Sequence, residues 1–283
     1  MMISYQELVR TFLSFINMKG GVGKSTVAIN VAHCLSERNE KRVLIIDMDP
    51  QFNATQCVLT PEAYIKHMES GGDTICTVFN PERVVVNSIN GSSIVKPKEI
   101  EDIKPIKIVN NLDLLPGSLE LHRIEVSAGS GLEFKLRRYL ESVRECYDYV
   151  LVDTPPTPSI WMYSALIASD FYIIPVKPEP LSITGIDLLE SIIEDKKKNF
   201  ALKIKCLGLV LNLVEEHTVT YRKTMEFLEG SDKWRSLIFR SFIPKRTAIS
   251  KGQTSALHIL KLKDRALHMK LVRVVDELKE KAS

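Results

Sequence analysis

The feature that most constrains this chain is a glycine loop, Phe15-Ile-Asn-Met-Lys-Gly-Gly-Val-Gly-Lys-Ser-Thr26, placed between two kinds of periodicity. Before it, Phe12–Asn17 is a short apolar run of the kind a buried parallel strand shows. After it, Ser25–Arg38 has helical spacing. A strand that turns through glycines into a helix forms a nest of inward-facing backbone N–H groups, and the helix adds the positive end of its dipole. Gly20, Gly21 and Gly23 allow the tight turn, with Val22 between them, and the loop as a whole reads as a phosphate cradle. In such a cradle Lys24 reaches the β- and γ-phosphates, the Ser25 hydroxyl ligates Mg²⁺, and Thr26 meets the α-phosphate. The strict pattern G-x-x-x-x-G-K-[ST] is broken at its first position, where Met18 stands.

The rest of the chain alternates in the same way. Arg42–Asp47, Leu112–Leu115, Tyr149–Asp153, Phe171–Val176, Cys206–Leu213 and Leu237–Ile243 read as further buried strands. Leu132–Cys146, Ile183–Lys198, Thr218–Glu229 and Asp264–Lys281 read as helices. This alternation predicts an α/β fold of the P-loop NTPase kind: a doubly wound, mostly parallel sheet with helices on both faces. Residues 1–283 are expected to form one domain. Thr60–Lys107, with Gly71, Gly72, Asn90 and Gly91, is expected to be a loop-rich excursion with one or two short helices.

Composition narrows the classes. With 45% hydrophobic and 26% charged residues the chain is of ordinary globular type. No apolar run approaches the roughly 18–20 residues of a spanning helix, and Met1–Arg10 lacks the apolar core of a signal peptide, so a cytoplasmic location is expected. Cys34, Cys57, Cys76, Cys146 and Cys206 are dispersed and read as reduced thiols, without the pairing a metal cluster needs. Net charge is +3, but residues 196–283 hold 20 Lys/Arg against 9 Asp/Glu, a balance of +11. Such asymmetry between the parts of a chain suggests a surface for polyanions.

Lys19 sharpens the picture. A second lysine before the glycine pair, in Lys19-Gly-Gly-Val-Gly-Lys-Ser-Thr26, resembles the deviant Walker A box of the ParA/MinD family of P-loop ATPases, which also commonly lacks the first glycine. Two further segments resemble the same family: Arg42-Val-Leu-Ile-Ile-Asp-Met-Asp-Pro-Gln-Phe-Asn-Ala-Thr55 and Tyr147-Asp-Tyr-Val-Leu-Val-Asp-Thr-Pro-Pro156. The resemblance implies that Lys19 crosses a dimer interface to the partner's nucleotide. It implies that Asp47 lies near the water shell of Mg²⁺, that Asp49 orients the attacking water, and that Asp153 supports the metal at the end of a Walker B strand. Thr154-Pro-Pro156 then acts as a switch that senses the γ-phosphate. Asn212, at the end of Cys206–Leu213, would contact the adenine, and the segment from Pro244 onward would close over the base.

The task implied is that of a ParA-type partition ATPase: an ATP-dependent sandwich homodimer that binds DNA without sequence preference, with hydrolysis stimulated by a ParB-like centromere-binding protein. None of these segments places a His or Glu as a strong base, so slow hydrolysis is expected. Lys245, Arg246 and Lys251 lie where ParA-like proteins present basic residues to DNA, although Ile243-Pro-Lys-Arg-Thr-Ala-Ile-Ser-Lys251 departs from the family's usual Arg-x-x-Arg-Leu-like run. The glycine loop begins too early for an N-terminal helix-turn-helix domain, and association with the nucleoid is expected. Two alternatives share these motifs: a MinD-like membrane switch and an ATPase that positions a protein cargo. The first needs a free amphipathic helix at Asp264–Lys281, whose Leu267, Leu271, Val274, Val275 and Leu278 equally suit packing on the sheet, so no stable membrane association is expected.

Overall fold

The structure is a computed structural model, and it describes residues 10–81, 84–87, 91–94, 98–127, 129–179, 182–253 and 255–283. The side chains of 84–87, 91–94 and 182–184 are not described. The reading of Met1–Arg10 as lacking an apolar leader core falls, up to residue 9, outside the described residues, as does Asn90 of the loop-rich excursion.

Strand β1 (Thr11–Phe15) passes through the glycine loop into helix α1 (Lys24–Asn39) and then β2 (Val43–Asp47). Three short helices follow, α2 (Asn53–Val58), α3 (Pro61–Glu69) and α4 (Ile75–Phe79), then a separate antiparallel pair, β3 (Val84–Asn87) and β4 (Gly91–Ile94). Next come β5 (Ile106–Val109), β6 (Leu112–Leu115), α5 (Glu120–Val126) and α6 (Lys135–Val143). The second half runs β7 (Tyr149–Asp153), α7 (Ile160–Ala168), β8 (Phe171–Val176), α8 (Ser182–Asn199), β9 (Lys205–Val214) and α9 (Val219–Gly230). It ends with β10 (Ile243–Pro244), α10 (Thr247–Gln253) and α11 (Arg265–Ala282).

Among the described residues, eight strands form one sheet in the order β10-β9-β8-β1-β7-β2-β6-β5, parallel except for the edge strand β5. The alternation of side chains along each strand builds a core on both faces. Leu13, Phe15, Val43, Ile45 and Leu151 face α1 and α11, whereas Phe12, Leu44, Ile46, Val150 and Val152 face the side of α4 to α7. Helices α8 and α9 cover the β8–β9 end. The doubly wound, mostly parallel sheet expected from the sequence is therefore the observed one.

Asp264 caps α11 by accepting from the Leu267 N–H at 2.9 Å. Leu267, Leu271, Val274, Val275 and Leu278 are then buried in the core beside α1, each such burial contributing about 1.5–3 kcal/mol. The apolar face that a membrane switch would need is already occupied. Among the described residues no helix is long and apolar enough to cross a membrane.

One strand expectation is corrected. Leu237–Ile243 is not continuous: Ile238 makes an isolated bridge with Leu209, and only Ile243–Pro244 forms a strand. The cause is local. The Arg240 N–H donates to the buried Glu277 carboxylate of α11 at 2.9 Å, which takes this segment off the ladder until Ile243.

Candidate functional site

The three central strands β1, β7 and β2 end side by side, and their carboxyl ends define the site. Register places Phe15 beside Asp153 and Asp153 beside Asp47. The glycine loop leaves β1 at this edge, the position where open α/β sheets bind ligands. Asn17 pins its entry: its amide donates to the Pro175 carbonyl at 2.8 Å, and its Oδ1 accepts from the Lys19 N–H at 2.9 Å. Gly23, the residue before α1, has φ 80° and packs against Asn212. A Cβ there would lie 2.3 Å from Asn212 Nδ2, so both the backbone angle and the space require glycine.

The two loop lysines occupy different surroundings. Lys24 is buried, and its pKa is lowered by burial against the opposing pull of Asp153 and Asp49. Lys19 is about one-third exposed and forms an ion pair with Glu179, just beyond β8, which also holds Lys177. Lys177 and then Lys19 keep the Glu179 carboxyl below its usual range.

The strand-end carboxylates are also distinct. Asp47 is fully buried and fully engaged: Oδ2 accepts from the Thr55 N–H at 2.7 Å and the Thr55 hydroxyl at 2.8 Å, while Oδ1 accepts from the Asp49 N–H at 3.1 Å. Asp49 accepts from the Gln51 N–H at 2.9 Å and from the Asn53 amide at 3.4 Å, which orients it beside Lys24. Asp153 is fully buried, and neither of its oxygens has a hydrogen-bond partner of good geometry. Burial raises the pKa of Asp153, while the nearby Ser25 hydroxyl and Lys24 ammonium act against it. Burial and the Asp153 charge raise that of Asp47. A buried carboxylate without partners is costly unless a cation completes it. The donor set of Ser25 hydroxyl and Asp153 oxygens fits Mg²⁺, which prefers a few hard oxygen ligands and keeps its waters. Thr154, the first residue of the switch segment, donates its hydroxyl to the Phe15 carbonyl at 2.7 Å, tying that segment to the loop entry.

At the other end of the loop, Asn212 Nδ2 donates to the carbonyls of Val22 at 2.8 Å and Gly23 at 3.4 Å, while its buried Oδ1 has no partner. Ile243 stands opposite Asn212 and Pro244 opposite Val214, so Asn212 and Pro244 come together on neighbouring strands. Gln253, at the end of α10, reaches Thr26. Lys245, Arg246 and Lys251 are exposed between β10 and the end of α10. Lys245 pairs with Glu215 at 2.7 Å and Arg246 with Asp264 at 3.7 Å, so acidic side chains of the chain itself already answer two of these charges.

The structure thus gathers Gly20, Gly21, Val22, Gly23, Lys24, Ser25 and Thr26 with Asp47, Asp49 and Asp153. Asn212 and Pro244 flank this group, and the three basic residues stand apart on the surface. Four residues of the site were not singled out from the sequence. Asn17 and Thr55 lie inside the quoted motifs and carry a local signal. Glu179 and Gln253 carry none, since their partners are 160 and 227 residues away in the chain.

A family model described as an AAA domain matches residues 10–206. The ParA family protein of Chlamydia pneumoniae is 33% identical over 202 residues, covering 69% of each chain. The sporulation initiation inhibitor protein Soj of Bacillus subtilis is 28% identical over 250 residues, covering 88% of this chain and 89% of Soj. Among solved structures, the plasmid partition protein BB_S35 of Borrelia burgdorferi B31, bound to AMPPNP, superposes with a TM-score of 0.74 at 23% identity. That match covers 96% of this chain and 99% of the Borrelia chain.

Proposed function

This chain belongs to the ParA/MinD family of P-loop ATPases, and from that premise we propose that it is a ParA-type partition switch, a single-domain ATPase that hydrolyses ATP slowly with Mg²⁺. Gly20 to Gly23 cradle the triphosphate, Lys24 holds the β- and γ-phosphates, and Thr26 meets the α-phosphate. Ser25 and Asp153 hold Mg²⁺, with Asp47 fixing the loop beside its water shell. Mg²⁺ supplies neutralisation of charge on the phosphoryl oxygens. Asp49 orients the attacking water, and Asn212 with Pro244 receives the adenine.

The observation that carries this reading is the division between the two lysines. Lys24 lies inside the cluster of carboxylates, whereas Lys19 stands at the rim, where a second subunit's nucleotide could reach it. A cation delivered in trans stabilises charge on the transferring group only when two subunits close, which couples hydrolysis to dimerisation. The ATP-bound homodimer would bind DNA through Lys245, Arg246 and Lys251, without base readout, and a ParB-like partner would trigger release. This work would take place in the cytoplasm, at the nucleoid. The burial of the apolar face of α11 favours it over a membrane role.

The test is a size measurement with ATP and Mg²⁺, paired with titration of random-sequence duplex DNA at two salt concentrations. Lys19→Ala is expected to remain monomeric and to lose ATP-dependent DNA binding. Glu179→Gln, which releases Lys19 from its own chain, is expected to dimerise at lower ATP. A Lys19→Ala protein that dimerises and turns over ATP like the parent defeats the proposal.

A further inference from the structure

One face of α1 is polar and yet covered. Thr26, Asn30, His33 and Glu37 recur at spacings of four, three and four residues, which places them on one side of the helix. Each is met by the C-terminal part of the chain. Gln253 Nε2 donates to Thr26 Oγ1 at 2.7 Å. The Ile259 N–H donates to Asn30 Oδ1 at 2.6 Å, and the Asn30 amide donates to the Thr26 carbonyl at 2.7 Å. His258 Nε2 and His33 Nδ1 both lie 2.9 Å from Glu37 Oε1, and Lys261 Nζ is 3.0 Å from Glu37 Oε2. These contacts fix the position of Gln253 along α1.

We propose that Gln253 is a nucleotide-positioning residue that aims the Thr26 hydroxyl at the α-phosphate. A threonine hydroxyl has one hydrogen to give and lone pairs to receive, and in a helix it tends to turn back to a carbonyl three or four residues earlier. For Thr26 those carbonyls are Gly23 and Val22. Both already accept from the Asn212 amide, and Gly23 also accepts from the Val27 N–H at 2.9 Å. With the Gln253 amide donating to its oxygen, the hydroxyl keeps its hydrogen for another acceptor. An α-phosphate oxygen above the loop is that acceptor, and ATP and ADP both carry it. Gln253 acts through Thr26 and touches no reacting atom.

The inference rests on the assignment of Thr26 to the α-phosphate, and the experiment separates the two. Affinities for Mg-ATP and Mg-ADP are measured by calorimetry for the parent, Gln253→Ala, Gln253→Glu, Thr26→Val and the Gln253→Ala/Thr26→Val pair. Gln253→Ala should weaken ATP and ADP equally, by about fivefold, the worth of one hydrogen bond. Gln253→Glu, of nearly the same size, should weaken them further, because a carboxylate would take the hydroxyl hydrogen and add negative charge beside the phosphates. In the Thr26→Val background, Gln253→Ala should cost nothing more. Unchanged affinities in Gln253→Ala, or a full loss that persists in the Thr26→Val background, overturn the role of Gln253 alone. Parent-like affinity in Thr26→Val overturns the assignment of Thr26, and this inference with it.

Discussion

Helix α1 carries a charged cluster at each end, and the two are built in opposite ways. At its start, Lys24 lies beside Asp49 and Asp153, and the Asp153 oxygens have no hydrogen-bond partner of good geometry. Toward its end, Glu37 gathers His33, His258 and Lys261, and both Glu37 oxygens are taken. The second set contains residue types that ligate metals, but its geometry argues for a clamp. The His33 and His258 rings stack in parallel, 5° apart with centroids at 3.7 Å, and each already directs a nitrogen at the same Glu37 oxygen. The Lys261 ammonium already neutralises the carboxylate. Only His258 Nδ1 is left unpartnered there, a neutral nitrogen and not a charge. The contrast gives a rule for this molecule: the cluster its own side chains complete holds the fold, and the cluster they leave incomplete awaits a ligand.

Breaking the incomplete cluster should have the largest effect. Lys24→Ala removes the cation that faces the phosphates, and ATP turnover should fall about 10²–10³-fold, the range typical of a lost transition-state contact. The rise in melting temperature that Mg-ATP gives the parent should vanish with it. If both persist, the cluster at the start of α1 is not the nucleotide site.

The completed cluster should instead respond to pH through stability. Burial, and then the neighbouring His33, hold His258 down at about 4, below the ordinary 6.5, and burial lowers His33 in the same direction. The folded state therefore binds fewer protons than the unfolded chain between those values. The stability these histidines contribute is complete above pH 6.5 and is lost as pH falls toward 4. Glu37, lowered by Lys261, His258 and His33 against its burial, adds to the loss only below about 4.5. For His258 alone the change from pH 7 to pH 5 is about 1–2 kcal/mol. Urea unfolding at the two pH values should show this fall in the parent and a flatter response in His258→Gln. Equal slopes would mean that the clamp does not bury neutral histidines.

The same contrast explains how much of the molecule could be read from sequence. Strands β1, β2, β7 and β8 were legible because a strand covered on both faces is mostly apolar, as residues 149–152 and Phe171–Val176 are. Strand β5 was not, since Ile106–Val109 is a half-exposed edge with a lysine in it. The break before Ile243 was hidden because its cause, Glu277, sits on a helix far along the chain. At the site, the glycine loop was legible because the backbone itself must turn there, and Asp47 and Asp153 because the segments that hold them resemble the family's motifs. The polar face of α1 reads as an ordinary solvated stripe, and nothing in its spacing says that residues near 253–261 cover it. Local geometry leaves a local signature, whereas contacts between distant segments do not.

Asn212 stands between the two cases, with its amide nitrogen engaged and its oxygen not. Asn212→Ala removes the support of Val22 together with the oxygen that, in the proposed function, accepts from the adenine amine. ATP affinity should fall roughly tenfold, the worth of one or two hydrogen bonds. GTP, which presents a carbonyl where ATP has the amine, should lose less, so the preference between the two should narrow. A uniform loss for both nucleotides would reduce Asn212 to a prop for the glycine loop.

The smallest effect belongs to the surface, where Lys245 and Glu215 form a pair that is complete but exposed, at 58% and 54%. Such a pair contributes about 0–1 kcal/mol, so Lys245→Ala should leave the melting temperature nearly unchanged. Its consequence should appear in DNA binding, because one phosphate contact fewer lowers the slope of log affinity against log salt by about one. Glu215→Gln supplies the opposing arm: it frees the ammonium from a carboxylate that competes with phosphate, and affinity for random-sequence duplex should rise a few-fold. The two substitutions alter the same ion pair and should move binding in opposite directions, which general damage to the surface would not do. If both lower affinity, or neither changes the salt slope, Lys245 belongs to the fold with Glu215 and makes no contact with DNA.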